Sequence, residues 1–255
     1  MRRTLVTLML VTAAAGAAVL ADEYLGLVGA QRGQPYGDNV EYDGRLTFVR
    51  IRYDVGYGGF SRRGSRGELP WAHDYPTADV HMMKILKELS LVNPRVDGSN
   101  VLTFDDPALF DNPIAYVSEP GFWTMSDAEA KGLRDYMLKG GFVIFDDFRE
   151  GDWYNLEDQM KRVMPELRFV PLDQNATIFN SFFEIRNFSF GYYGKETYYG
   201  LFENNDQTKR LMAIAGHNQD LGEYWEFSDT GIVPVDLSNE AYKFGVNYFI
   251  YGLIH

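Results

Sequence analysis

The sequence predicts an α/β protein with a mostly parallel sheet arranged in three layers. Short unbroken apolar runs, typical of strands that are buried on both faces, alternate along the chain with amphipathic helical segments. This alternation is typical of a parallel sheet that is covered by helices. The chain has 255 residues, of which 45% are hydrophobic and 24% charged, so it is globular and long enough to bury a large core.

The first 21 residues have the pattern of a secretory signal peptide. Arg2 and Arg3 precede an apolar run at 5–20, and Ala21 supplies a small residue at the expected cleavage point. The alternative is a retained membrane anchor, although the run is short for a membrane span. We therefore expect a bacterial periplasmic or secreted protein with no membrane span after cleavage. The general secretory route and the twin-arginine route both stay open.

The mature chain is predicted to begin with an arm or linker at 22–45, which is rich in glycine and polar residues. A single α/β domain then occupies 46–255. Its first half is predicted to contain a strand at 46–53, a helix that starts near Pro76, and strands at 101–104 and 114–117.

The stretch at 126–147 has the clearest pattern. Ser126 and Glu129 form a capping box that starts a helix, and Gly140 can adopt the left-handed conformation that ends it. The apolar run at 142–145 then predicts a strand that is buried on both faces.

The second half continues the alternation. Asn155 and Ser238 are expected to cap two helices, and strands are predicted at 169–172 and 211–215. The segment 178–202 is dense in Phe and Tyr, which predicts an antiparallel excursion or a lid.

Polar residues follow several of the predicted strands, and the carboxyl ends of parallel strands share one edge of a sheet, where ligands bind. The candidate ligand-binding residues are Asp54, Asp74, Asp146, Asp147, His217 and Asn218. Asp146 and Asp147 could bind a metal, a sugar hydroxyl or an amine. The alternative is that one carboxylate caps the following turn and the other is solvated. Neither a cofactor nor a particular metal is indicated.

The glycine-rich loop at 56–67 is a candidate anion site, because free backbone N–H groups and arginines can bind negative charge. The candidate residues are Gly58, Gly59, Arg62 and Arg63. The loop lacks the ending of a P-loop, and the alternative is a flexible surface loop.

Three segments together resemble the bacterial family named domain of unknown function 4159. They are PWAHDYP at 70–76, LKGGFVIFDD at 138–147 and FGVNY at 244–248. The resemblance implies a flavodoxin-like fold similar to class I glutamine amidotransferases. It also implies a cell-envelope setting, because larger relatives carry the domain beside von Willebrand A-like modules. Those amidotransferases use a Cys nucleophile, and this chain has no Cys, so thiolate chemistry is excluded.

The net charge of the chain limits the kinds of partner that it is expected to bind. The formal net charge is −12, and the predicted signal carries two arginines and no acidic residue, so the mature chain is more acidic still. An acidic chain argues against nucleic acid as a partner. We expect an exported domain that binds a small molecule or a cell-envelope protein partner at the strand ends. The alternative is a non-thiol, metal-assisted hydrolase that uses Asp146, Asp147 and His217.

Overall fold

The structure is a computed structural model that describes residues 39–55, 69–189 and 195–255. The predicted signal peptide at 1–21 and the first part of the predicted arm lie outside the described residues. The last part of the arm runs beside the sheet, where Asn39 and Val40 exchange hydrogen bonds of 2.8–3.1 Å with Asn100 and Val101.

The described residues form a mixed α/β structure. Its strands are β1 (Val49–Ile51), β2 (Asp54–Val55), β3 (Asn100–Leu102), β4 (Ile114–Ser118), β5 (Trp123–Thr124), β6 (Phe142–Phe148), β7 (Val170–Pro171), β8 (Thr197–Phe202) and β9 (Leu211–His217). Its α-helices are α1 (Thr77–Leu89), α2 (Asp127–Leu138), α3 (Asp152–Val163), α4 (Leu221–Glu226) and α5 (Val235–Ile254).

Seven of these strands form one sheet in the order β3-β1-β4-β6-β9-β8-β7. The strands β3, β1, β4, β6 and β9 are parallel to one another, whereas β8 runs antiparallel to both β9 and β7. The prediction of a mostly parallel sheet is therefore confirmed, and so is the predicted antiparallel excursion at β8. The strands β2 and β5 form a separate antiparallel pair.

The central strand and the helix before it follow the sequence prediction. Ser126 accepts a hydrogen bond from the Glu129 N–H, and the Glu129 carboxylate accepts one from the Ser126 N–H, so the capping box is present. Gly140 ends the turn with φ +113°. The β6 strand lies in the middle of the sheet between two parallel neighbours, and all seven of its residues are buried. It extends beyond the predicted 142–145 and includes Asp146 and Asp147.

Two of the predicted helix caps are wrong. The α3 helix starts at Asp152, and the Asn155 side chain lies inside it and donates to the backbone oxygens of Pro120 and Trp123, at 2.7 and 2.8 Å. The α5 helix starts after Pro234, so Ser238 is buried within its first turns. The Asn155 side chain is therefore used in tertiary contacts rather than as a cap, and α5 begins directly after Pro234.

The core places aromatic side chains against the parallel strands. Phe48 packs against Tyr116 and Phe249, with ring centroids 5.3 and 5.5 Å apart. Trp123 packs against Phe145, with centroids 5.8 Å apart. Because Tyr116 and Phe145 lie on fully buried strands, the polar residues at the ends of these strands are held on a rigid support.

Candidate functional site

Acidic residues and one histidine meet at the carboxyl edge of the parallel strands. They come from the segment that precedes α1, the turn after β4, the end of β6, the turn after β9 and the helix α4. We call them the edge cluster: His73, Asp74, Glu119, Asp147, Asp220, Glu223 and Glu226.

The backbone at this edge is strained. Five non-glycine residues here have positive φ, between 46° and 63°: Asp74, Glu119, Asp147, Glu150 and Asn218. Residues other than glycine rarely adopt this backbone conformation, which costs of order 1–3 kcal/mol per residue and is concentrated at functional sites. The strain is therefore an indication of function that does not depend on which side chains are acidic.

Asp146 joins three elements of the fold. Its Oδ2 accepts hydrogen bonds from the Tyr116 hydroxyl at 2.7 Å, the Leu221 N–H at 2.9 Å and the Gly222 N–H at 3.1 Å. Burial raises the pKa of Asp146 to about 7, against the opposing effect of the Tyr116 hydrogen bond. The carboxylate thus anchors α4 to β4 and β6, which is a structural role.

Asp147 is the member of the edge cluster that contacts the histidine. Its Oδ2 accepts a hydrogen bond of 2.8 Å from His73 Nδ1, and its Oδ1 lies 3.5 Å from Arg149 Nη2. The hydrogen bond to Asp147 raises the pKa of His73 to about 10, although burial opposes the change. The short contact with the Asp147 carboxylate therefore favours the protonated form of His73.

Asp74 is the unusual member of the cluster. Its side chain is 98% buried or more, and neither carboxylate oxygen has a hydrogen-bond partner among the described residues. Burial raises the pKa of Asp74 well above its ordinary value. Gly222 permits this placement, because a Cβ at that position would lie 2.3 Å from Asp74 Oδ2.

Arg50 on β1 holds the segment that carries His73. Its side chain is fully buried and donates to Asp79 at 2.6 Å and to the backbone oxygen of His73 at 2.8 Å. The guanidinium also lies 4.9 Å from the centroid of the Tyr116 ring. These contacts hold the backbone at His73 and Asp74 in place against β1.

A protein-family model described as Domain of unknown function (DUF4159) matches residues 30–253. The chain belongs to this family. The resemblance in the three sequence segments is thereby confirmed, and the family description assigns no activity. A comparison with curated proteins finds no match. Among the described residues, no helix combines the length and apolar character that crossing a bilayer requires.

In this DUF4159 domain, three of the predicted ligand-binding residues are not members of the edge cluster. Asp54 is exposed on β2. His217 Nε2 donates to the Glu150 backbone oxygen at 3.1 Å, and its ring packs against Phe148. Asn218 accepts from the Glu150 N–H at 3.1 Å, so His217 and Asn218 hold the turn after β6. Gly58, Gly59, Arg62 and Arg63 lie outside the described residues.

The sequence prediction missed several members of the DUF4159 edge cluster. His73 stands beside the predicted Asp74, but its role depends on Asp147, which is 74 positions away. Glu119 directly follows a correctly predicted strand, and polar residues after each strand were the available signal. Glu223 and Glu226 lie in the short helix α4, which the apolar pattern did not predict, and Asp220 caps its start.

The cluster offers two sets of ligand atoms that could hold a metal. The first set is His73, Asp74 and Asp147, and the second is Asp74, Glu223 and Glu226; within each set the atoms lie within 4.8 Å of one another. Both sets share Asp74. The arrangement can therefore bind a cation or a ligand that carries donors and positive charge.

A separate cavity of about 440 Å³ lies near the start of β9. Arg210 lines it, but the guanidinium is already bound to the backbone oxygens of Met137 and Gly141, at 2.6 and 3.3 Å. None of the edge-cluster residues lines this cavity.

Proposed function

We propose that this DUF4159 domain is an exported binding domain that takes a small ligand at the carboxyl edge of its parallel strands. The observation that carries the proposal is Asp74, a buried carboxylate without a hydrogen-bond partner among the described residues, on strained backbone inside the edge cluster. A buried polar group without a partner is costly, so such a group in a cluster of polar side chains favours a ligand that completes it. A cell-envelope protein partner is the alternative occupant.

The proposal includes a flavodoxin-like fold in three layers, similar to class I glutamine amidotransferases. The five parallel strands, numbered along the chain, have the spatial order 2-1-3-4-5, which is the flavodoxin-like order. Every residue of β4 and β6 is buried, as expected for strands covered on both faces. In such folds ligands bind where the strand order reverses, here between β1 and β4. His73, Asp74 and Glu119 follow these two strands.

The chemistry of the edge cluster favours a ligand with hydrogen-bond donors and positive charge. Its members are six carboxylic residues and one histidine. A carboxylate is an acceptor that pairs best with ammonium, guanidinium or metal cations. Amines, amino acids and polyols are the small molecules to test first.

Export is supported by the basic and apolar pattern of the first 21 residues. Expression of the full chain with a C-terminal tag in a bacterium should give a periplasmic protein whose first residue lies near Asp22. Mass spectrometry and N-terminal sequencing measure this. Full-length protein beginning at Met1 in the cytosol would contradict export, and full-length protein in the membrane would indicate an anchor.

Thermal denaturation in the presence of these small molecules tests ligand binding. A ligand present at a concentration 100 times its Kd raises the free energy of unfolding by about 2.7 kcal/mol. For a chain of this size that stabilisation raises Tm by roughly 5–11 °C. Asp74→Asn should abolish the increase, and Asp54→Asn, which changes an exposed carboxylate outside the cluster, should keep it.

A ligand that stabilises wild type and Asp74→Asn equally would contradict a site at the edge cluster. If no small molecule stabilises the protein, a cell-envelope protein partner remains to be tested. Immobilised wild type should then retain one envelope protein that immobilised Asp74→Asn does not retain.

A second candidate function is metal-assisted hydrolysis without a thiol. It is favoured by the proximity of His73, Asp74 and Asp147. His217, the histidine expected from the sequence, contacts the backbone of Glu150 instead. Nitrophenyl ester and phosphate substrates, assayed with added divalent metal, test this function. Turnover should be lost with His73→Gln and kept with His217→Gln. Turnover that is independent of His73 would contradict it.

A further inference from the structure

We infer that the edge cluster holds a divalent cation through His73 Nδ1 and the carboxylates of Asp74 and Asp147. The inference deepens the proposed binding function and rests on it, because the cation would be the ligand, or part of the ligand, of the same crevice.

The distances suit a small cation. His73 Nδ1 lies 2.8 Å from Asp147 Oδ2 and 3.8 Å from Asp74 Oδ1. Metal–ligand bonds of about 2.1 Å place neighbouring ligand atoms roughly 3.0–3.4 Å apart. The observed separations lie on either side of that range, so side-chain shifts of less than about 1 Å would form the coordination shell.

Asp74 supplies the second and independent indication of a ligand. Both of its oxygens are buried and lack a hydrogen-bond partner among the described residues, and one of them lies next to the imidazole. The Asp74 Oδ1 lies 3.8 Å from His73 Nδ1, which is too far for a hydrogen bond, so the imidazole alone does not satisfy these oxygens. A cation between Asp74 and His73 would pair with the Asp74 carboxylate and offset the cost of burying its charge.

The surrounding contacts hold the three ligands in place. Arg50 binds the backbone oxygen of His73 at 2.8 Å, which fixes the peptide between His73 and Asp74. Gly222 leaves room for the Asp74 carboxylate. Asp147 is held by its left-handed backbone, with φ 52°, inside a buried strand. Orientation of ligands by outer contacts is a regular feature of metal sites.

The ligand types favour a transition metal. One imidazole nitrogen and two carboxylates suit Zn²⁺, Mn²⁺ or Fe²⁺ better than Ca²⁺ or Mg²⁺, which prefer oxygen ligands alone. In the metal-free state His73 Nδ1 and Asp147 Oδ2 are in hydrogen-bond contact at 2.8 Å, which requires a proton between them. The cation takes the place of this proton, which is released to solvent.

Titration of the purified mature chain with Zn²⁺ and Co²⁺ tests the inference. Calorimetry should give one ion per chain, and Co²⁺ should produce a visible absorption band from a protein-bound ion. His73→Gln and Asp147→Asn should each weaken binding at least 100-fold. The exposed-carboxylate control Asp54→Asn and the histidine control His217→Gln should bind as wild type does.

The variant Glu226→Gln distinguishes this site from the neighbouring carboxylate set of Asp74, Glu223 and Glu226. Its Kd for Zn²⁺ should stay within a few-fold of the wild-type value. If Glu226→Gln lost Zn²⁺ binding and Asp147→Asn kept it, the assignment would be overturned. The assignment would also be overturned if wild type bound no ion at 1 mM, a concentration on the order of the Kd of the weakest specific sites. Circular dichroism confirms that each variant is folded; if Asp147→Asn is not, His73→Gln decides, because the His73 side chain is 32% exposed.

A parallel ligand screen in EDTA keeps the two proposals separate. Stabilisation by a small molecule in EDTA, without Zn²⁺ or Co²⁺ binding, would overturn the cation and leave the binding function intact. Ion binding that depends on His73 and Asp147 supports the cation even when no organic ligand acts.

Discussion

Asp146→Asn replaces a buried carboxylate by an amide of the same shape and tests the environment of the central strand. The amide oxygen can accept the same three hydrogen bonds, from Tyr116, Leu221 and Gly222, that Asp146 Oδ2 accepts at 2.7–3.1 Å. The carboxylate charge is lost. The variant therefore separates the cost of burying the charge from the benefit of the hydrogen bonds.

The magnitude follows from the pKa. Burial raises the pKa of Asp146 from 3.8 to about 7, so between these values the folded state binds a proton that the unfolded state does not. The stability of wild type therefore falls as pH rises through this window and changes no further above it. At 1.36 kcal/mol per pKa unit the loss is about 4 kcal/mol. The amide does not titrate, so Asp146→Asn should match wild type near pH 4 and exceed it by several kcal/mol at pH 8.

Urea unfolding followed by tryptophan fluorescence, in EDTA and at pH values from 4.5 to 8.5, measures this difference. In thermal melts an increase of 4 kcal/mol corresponds to roughly 8–16 °C for a chain of this size. Asp146→Ala should instead lower stability at every pH, because it leaves three buried donors without an acceptor, at about 1–3 kcal/mol each. An Asp146→Asn variant that is less stable than wild type at pH 8, or a difference that does not change with pH, would refute the reasoning.

Two further substitutions test the contacts beneath the site. Arg50→Met leaves Asp79 as an unpaired buried charge and should cost about 3–5 kcal/mol in urea unfolding, whereas the double variant Arg50→Met/Asp79→Leu should recover much of this loss. A single variant within 1 kcal/mol of wild type, on the scale of a surface pair, would contradict the buried pairing. Gly222→Ala should lower stability by about 1–3 kcal/mol, because its Cβ would lie 2.3 Å from Asp74 Oδ2. Gly151→Ala, where a Cβ meets nothing within 4 Å, is the control, and equal effects of the two substitutions would contradict the close approach.

The sequence predicted those parts of the fold in which local preference and burial agree. The capping box at Ser126, the turn at Gly140 and the apolar run of β6 are all local signals, and each is present in the structure. Asn155 and Ser238 have the residue types of helix caps, but α3 and α5 start before them, at Asp152 and Val235. Asn155 is committed to backbone oxygens 32 and 35 positions earlier in the chain, which no local pattern reveals.

The candidate site was predicted in part. Asp74, Asp146 and Asp147 were expected at one edge of the sheet, and the structure brings them close together there. Asp146 and Asp147 lie in the part of β6 where the pairing with β9 shifts register, between Phe145 and Phe148. Neighbouring residues of a strand point to opposite faces, so the two carboxylates are expected to meet different surroundings. Because both residues are Asp, the sequence does not say which of them anchors α4.

The strain at the carboxyl edge supports a site independently of the acidic side chains. A left-handed non-glycine residue costs of order 1–3 kcal/mol, and Asp and Asn adopt this conformation more readily than Glu does. Such strain persists only where surrounding contacts hold it, and here the buried contacts of Arg50, Asp146 and Asn155 supply them. A domain whose edge only closed its turns could use glycine at these positions and lose the strain. The residues at Asp74, Glu119 and Asp147 instead combine left-handed backbone with buried carboxylates. Backbone strain and the burial of a carboxylate both lower stability. Because both occur at the same residues, a role of these residues in binding is favoured over a role in stability.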